Sequence, residues 1–181
     1  AVELVRALAT EHDINCDLKR GILHVAAKLS HVADLQREVE HLHRHYAYHN
    51  MRFIDRIETG RMLGTRRYFG GQLDRGSAHI NPLQFVAGLA DAAESLGAQL
   101  FERSRVLKIR QGSLCRVSTS SGDVSARYVI LGCNGYLEKL NDRMASRIMP
   151  INNFVLATEP LTESRCRELI RDDVAVSDSK F

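Results

Sequence analysis

Histidine is the most concentrated reactive side chain in the sequence, with His41, His43, His45 and His49 crowded into one stretch. His41, His45 and His49 recur every fourth residue, a spacing that places side chains on one helix face, and an i, i+4 pair of imidazoles can hold zinc. The stretch lacks the glutamate of a His-Glu-x-x-His pattern and has no evident third ligand, so a solvated polar face is expected and no metal site is assigned. Cys16, Cys115, Cys133 and Cys166 are widely spaced, without Cys-x-x-Cys. They read as reduced thiols of a cytoplasmic protein, where free cysteine usually serves as a small buried hydrophobe. No serine sits in Gly-x-Ser-x-Gly, and no cysteine has a marked His or Asn partner, so nothing supports nucleophilic hydrolysis. A Gly-x-x-x-x-Gly-Lys-Ser/Thr loop is absent, as is a Gly-x-Gly-x-x-Gly turn opening a βαβ unit. No residue is assigned a catalytic role.

Two backbone features are left. Ser104-Arg105-Val106-Leu107-Lys108-Ile109 is a strand-like run. In Ile130-Leu131-Gly132-Cys133-Asn134-Gly135 an apolar run breaks into small residues, where missing side chains would let a ligand approach the main chain.

The elements around these features follow from periodicity. Residues 2–12 carry Val2, Leu4, Val5, Leu8 and Ala9 on one side of a helix. Gly21 opens a strand over Ile22–Ala27. Ser30 is the expected N-cap of a long amphipathic helix over 31–50. The stretch Ile57–Ser77, rich in Gly and Arg, reads as loop with short extended pieces. Asn81-Pro82 pairs a capping residue with the residue favoured at the first helical position. The helix it starts has a clean apolar face, Leu83, Phe85, Val86, Leu89, Ala90, Ala93 and Leu96, and ends at Gly97. Four strand-like runs follow, 99–102, 105–111, 114–119 and 124–131. Gly112-Ser113 is read as a two-residue primed turn, and Ser120–Asp123 as a looser one. The unbroken apolar end Tyr128–Leu131 suggests a strand buried on both faces. A short helix near 136–140, a strand over 154–158 and a helix near 163–170 come next. A further strand is expected to begin near Ser179-Lys180-Phe181.

Composition bounds the class. The 181 residues are 44% hydrophobic and 26% charged, which is globular rather than disordered or fibrous. Lys plus Arg is 25 and Asp plus Glu 22, a net +3 too small and too evenly spread to argue for nucleic acid. No run approaches the roughly 18 apolar residues of a membrane span.

The order His79-Ile80-Asn81-Pro82, apolar helix, Gly97-Ala98, Val106, hairpin, Tyr128-Val129-Ile130-Leu131-Gly132-Cys133-Asn134-Gly135 resembles the D-amino acid oxidase superfamily of FAD-dependent oxidoreductases. Arg147-Ile148-Met149-Pro150, Ala157-Thr158-Glu159-Pro160-Leu161 and the early Cys16–Ala26 stretch are similar to the branch containing gamma-glutamylputrescine oxidase. The resemblance implies a mixed α+β or α/β fold, the middle portion of a two-domain enzyme whose FAD-binding and substrate-binding lobes interleave. Residues 1–78 would belong to the substrate lobe, 79–146 to the FAD lobe, and 147–181 to the return into the substrate lobe. It implies FAD as cofactor, approached by the main chain at Val106 and by the small-residue turn Gly132, Cys133, Asn134 and Gly135. That turn departs from the family's Ala-Thr-Gly-like form. The implied reaction takes an amine or amino acid to an imine with hydride transfer to FAD and reoxidation by oxygen. A same-family dehydrogenase with another acceptor stays open, as does a non-catalytic binding module retaining part of the fold. Without the family's two Gly-rich terminal segments, the piece alone is expected to be inactive, to bind FAD weakly or not at all, and to self-associate.

Overall fold

A computed structural model describes residues 1–180, and Phe181, part of the last expected strand start, lies outside them. The chain divides into two compact units, Ala1–Ala98 together with the segment from Thr158 onward, and Gln99–Ala157.

The first unit is a sheet with helices on both faces. Its elements are helix α1 (Val2–Glu11), strand β1 (Lys19–Val25), helix α2 (Val32–Tyr46), strand β2 (Met51–Asp55), helix α3 (Arg56–Leu63), strand β3 (Gly70–His79) and helix α4 (Pro82–Ser95). Helix α6 (Glu163–Leu169) and strand β7 (Ala175–Asp178) complete it, after the second unit's elements in the chain. The strand order is β2-β3-β1-β7, with β3 antiparallel to both neighbours and β7 parallel to β1.

The stretch 57–77 is therefore corrected from loop to a helix and a central strand. Its glycines hide the strand pattern because the ladder needs them. A Cβ on Gly71 would stand 2.7 Å from the His24 carbonyl oxygen, and one on Gly70 would stand 2.8 Å from Phe53 Cζ. Helix α3 is set by local chemistry rather than by an apolar stripe. The Asp55 side chain accepts from the Glu58 N–H at 2.7 Å, and Gly64 closes the helix in the left-handed region (φ 58°).

Alternation along the strands sends Leu23, Val25, Ile54 and Leu73 to one face, where they pack with Met62 and Leu63 of α3 and with Val174. Gln72 points the other way and donates to the Leu35 carbonyl of α2 at 3.0 Å and to Glu38 Oε2 at 2.9 Å. Leu35 and Val39 are the buried residues of α2. That helix differs from the expected 31–50. Leu29–His31 form a 3-10 turn, so Ser30 does not cap it, and Ala47 (φ 49°) ends it. The carboxyl-terminal segment is tied on by Arg75 to Asp172 (2.7 Å), His79 Nε2 to the Asp173 carbonyl (2.6 Å) and His24 Nδ1 with Ser177 Oγ (2.8 Å).

Helix α4 begins as expected, with Asn81 Oδ1 accepting from the N–H groups of Leu83 (3.1 Å) and Gln84 (3.2 Å). Its apolar face is largely open, with Leu83 and Val86 exposed, while Gly88 seats against Ile14.

The second unit is an antiparallel sheet of β4 (Val106–Arg110), β5 (Cys115–Thr119) and β6 (Asp123–Ala126), followed by a 3-10 turn (Asn134–Tyr136) and helix α5 (Asp142–Ala145). Gln111–Leu114 joins β4 to β5 as a four-residue connection in which Gly112 keeps a negative φ, so the primed two-residue turn is corrected. The Ser120–Asp123 turn forms around Thr119 Oγ1, which accepts from the N–H groups of Ser121 and Gly122 at 3.1 Å each. Residues 99–102 form no strand. Tyr128–Leu131 and 154–158 are also not strands, and their apolar residues other than the half-buried Val129 are exposed, Ile130 at 94% and Phe154 at 98%. Apolar composition alone does not make a ladder. Among the described residues no segment pairs with either run.

Candidate functional site

In the second unit, β4 starts at Val106, and the chain returns to it through the small-residue turn 132–135. The two segments border an open cavity of about 840 Å³, walled on one side by Arg105, Val106 and Leu107 and on the other by Cys133 and residues 136–140. Leu137, only 5% exposed, is the one well-buried hydrophobic side chain of this unit among the described residues. Of the five residues expected to meet a cofactor, Val106 and Cys133 line this cavity together. Gly132, Asn134 and Gly135 lie beside it in sequence and are not among its lining.

The turn keeps its backbone accessible. A Cβ on Gly132 or Gly135 would meet no atom within 4 Å. Asn134 takes a left-handed φ of 48°, and the Tyr136 N–H donates to the Cys133 carbonyl at 2.9 Å, winding the 3-10 turn. A second left-handed residue, Glu138 (φ 49°), turns the segment again. Its carboxylate pairs with the Arg105 guanidinium across the two walls. Leu137 and Glu138 carry no motif that spacing could have flagged. Arg105 lies in the run already singled out, with no signal for its partner.

The first unit holds a polar cluster of another kind. Asp74, 7% exposed, accepts from Tyr48 Oη (2.6 Å), from the N–H groups of Gly76 (2.8 Å) and Ser77 (3.3 Å), and from Ser77 Oγ. Burial alone would raise its carboxyl pKa. The hydrogen bonds from Ser77, Tyr48 and the main chain outweigh burial and hold it below the usual carboxylate value. The Tyr48 hydroxyl is pushed up by burial, then by its bond to Asp74. With its oxygens so engaged, Asp74 is a structural tie and is poorly suited to take a substrate proton. Tyr46 is exposed, and Tyr68 packs against the core.

The histidines do not converge. His41 and His45 have ring centroids 4.6 Å apart, but the helix ends at Tyr46, so His49 leaves their face and stands near His43. His43 Nε2 bonds the Met51 carbonyl oxygen at 2.6 Å. Among the described residues no group of three or more His, Cys, Asp or Glu is placed to hold a metal ion. No helix among them is long and apolar enough to cross a membrane.

Comparison with known proteins gives one consistent result. The family model described as FAD dependent oxidoreductase (DAO) matches residues 1–180. The chain is 36% identical over 182 residues to probable oxidoreductase OrdL of Rhizobium meliloti strain 1021, covering 100% of this chain and 42% of that protein. It is 33% identical over 180 residues to gamma-glutamylputrescine oxidoreductase of Escherichia coli strain K12, covering 99% of this chain and 42% of the relative. The chain thus spans well under half the length of these curated relatives. Among solved structures, glycine oxidase from Geobacillus kaustophilus superposes with a TM-score of 0.67 at 23% identity, over 78% of this chain and 39% of that one. L-proline dehydrogenase from P. horikoshii gives 0.65 at 18% identity, over 80% and 39%. The fold is that of part of these enzymes.

Proposed function

The chain belongs to the DAO family of FAD-dependent oxidoreductases, and from that premise we propose that the complete protein oxidises the carbon–nitrogen bond of an amine or amino acid to an imine. FAD, when bound, supplies the acceptor for a hydride equivalent from the substrate carbon and passes the electrons on to oxygen. The residues present fit that group. Val106, Leu107 and Leu137 give the cleft apolar surface that a flat ring can lie against, and the backbone at Gly132 and Gly135, next to it in sequence, is not screened by side chains.

The observation that carries the reading is that Val106 and Cys133, far apart in sequence, line one cavity in a chain matched by this family along nearly all its length. The names of the relatives support the substrate class. Gamma-glutamylputrescine, glycine and proline each contain a carbon–nitrogen bond of the required kind. On this reading residues 79–146 serve the cofactor lobe, and 1–78 and 147–181 serve mainly the substrate lobe. Catalysis of this type asks for orientation and a dry pocket rather than a protein nucleophile. A cytoplasmic setting suits the four free thiols.

The test is expression from the complete coding sequence. Stoichiometric flavin absorbance, with oxygen uptake on addition of primary amines, secondary amines or amino acids, is the expected result. A colourless protein overturns the reading. Substrate that bleaches the flavin without oxygen uptake moves it to a dehydrogenase. The 181-residue chain alone is expected to retain little or no flavin and to turn over no substrate.

A further inference from the structure

Resting on that cofactor reading, we propose that the Arg105–Glu138 ion pair is a positioning clasp, holding β4 and the 133–138 turn at the spacing the cofactor requires. Arg105 directly precedes Val106, and Glu138 directly follows Leu137, so each partner stands in one of the two walls, beside an apolar residue of that wall. The pair is the one salt bridge joining these two walls among the described residues. The unit's other bridge, Arg116–Asp123, ties β5 to β6 away from the cavity.

The backbone turns sharply on the Glu138 side of the pair. Asn134 and Glu138 both take left-handed φ values, 48° and 49°, which L residues adopt sparingly. A conformation of that kind persists where a local contact holds it, and the Glu138 carboxylate has such a contact in Arg105. Both side chains are open to solvent, 72% for Arg105 and 59% for Glu138. A bridge so exposed adds little to the stability of the fold. Its effect lies elsewhere. A site whose walls are correctly spaced only part of the time binds its ligand more weakly in proportion to that fraction. As a clasp the pair acts by spacing Val106, Cys133 and Leu137. Both partners also line the cavity, so swapping the two charges separates that role from a direct contact of either side chain with the cofactor.

The experiment titrates apoprotein, made from the complete coding sequence, with FAD and follows flavin fluorescence. Thermal unfolding of the same apoproteins is measured alongside. Glu138→Gln and Arg105→Gln are each expected to weaken FAD binding about two- to fivefold. The double swap Arg105→Glu with Glu138→Arg should recover most of it, with little change in apoprotein unfolding. Rising salt should weaken the wild type more than Glu138→Gln, since screening removes an interaction the variant already lacks. Wild-type affinity in Glu138→Gln, or no recovery in the swap, overturns the clasp and leaves the cofactor reading standing. A loss of affinity matched by an equal loss of apoprotein stability makes the pair structural and also overturns it. A wild type that takes up no FAD defeats the cofactor reading, and the clasp with it.

Discussion

The two units solve the same problem with unequal success. In the first, a four-stranded sheet is covered by α2 on one face and by α3 on the other, and Leu23 and Val25 have no exposed surface. In the second, a three-stranded sheet leaves Leu107 and Val124 more than half exposed, and Ile130, Phe154, Val155 and Leu156 stand at 90% or above. Composition does not separate them, because the exposed runs are as apolar as the buried ones. A hydrophobic segment becomes core only when a second layer closes over it. The curated relatives are more than twice as long as the region they share with this chain.

The sharpest test of this difference is a matched pair of truncations. Leu23→Ala removes a fully buried side chain at the centre of the first unit's cluster and is expected to cost about 2–5 kcal/mol. Leu107→Ala removes the same atoms from a side chain 61% exposed and is expected to cost no more than about 0.5 kcal/mol. Hydrogen exchange read by region distinguishes the units, with the loss of protection confined to the first. Equal costs at the two sites would break the contrast.

A smaller, pH-dependent effect should also fall in the first unit alone. Burial opposes ionisation of Asp74, but hydrogen bonds from Ser77, Tyr48 and two main-chain N–H groups prevail, and its folded pKa lies below the ordinary 3.8. The unfolded chain therefore takes up this proton at higher pH than the folded one. The stabilisation is fully present above the ordinary value and is lost as pH falls through the lowered one. Asp74→Asn should flatten the acid limb of the first unit's stability. It should also lower stability at neutral pH, by about 1–3 kcal/mol, because two N–H donors and the Tyr48 hydroxyl lose a charged acceptor. An unchanged acid limb would remove Asp74 from the account.

The same contrast explains what could be foreseen. Helices α1 and α4 were legible because their signals are local: apolar spacing, and for α4 the Asn81-Pro82 start. Strand β3 was not, since Gly70, Gly71 and Gly76 owe their identity to neighbours on β1, β2 and the Tyr48 hydroxyl. Tyr128–Leu131 erred in the opposite direction. The residues have the composition of a buried strand, but pairing depends on a partner that no local pattern contains. At the candidate site the family resemblance is what pointed to Val106 and Cys133, which share a cavity lining, while the left-handed turns that bring Leu137 and Glu138 to them left no trace in composition.

The smallest expected change in stability tests the open face itself. In the 181-residue chain, Ile130→Ser and Phe154→Ser replace side chains that are 94% and 98% exposed, so each should shift unfolding by no more than about 0.5 kcal/mol. Association should respond far more than stability does. Contiguous apolar surface drives self-association, and unpaired extended segments offer main-chain donors and acceptors to another copy. The doubly substituted chain should sediment closer to a monomer and bind less of an apolar dye than the wild type. In a protein made from the complete coding sequence the order of effects should invert: a serine at 130 or 154 then destabilises as Leu23→Ala does here, because the side chain lost is one that another layer covers. If Ile130→Ser proved harmless there too, Tyr128–Leu131 would be surface in both settings, and the difference between the units would be a property of their own sequences.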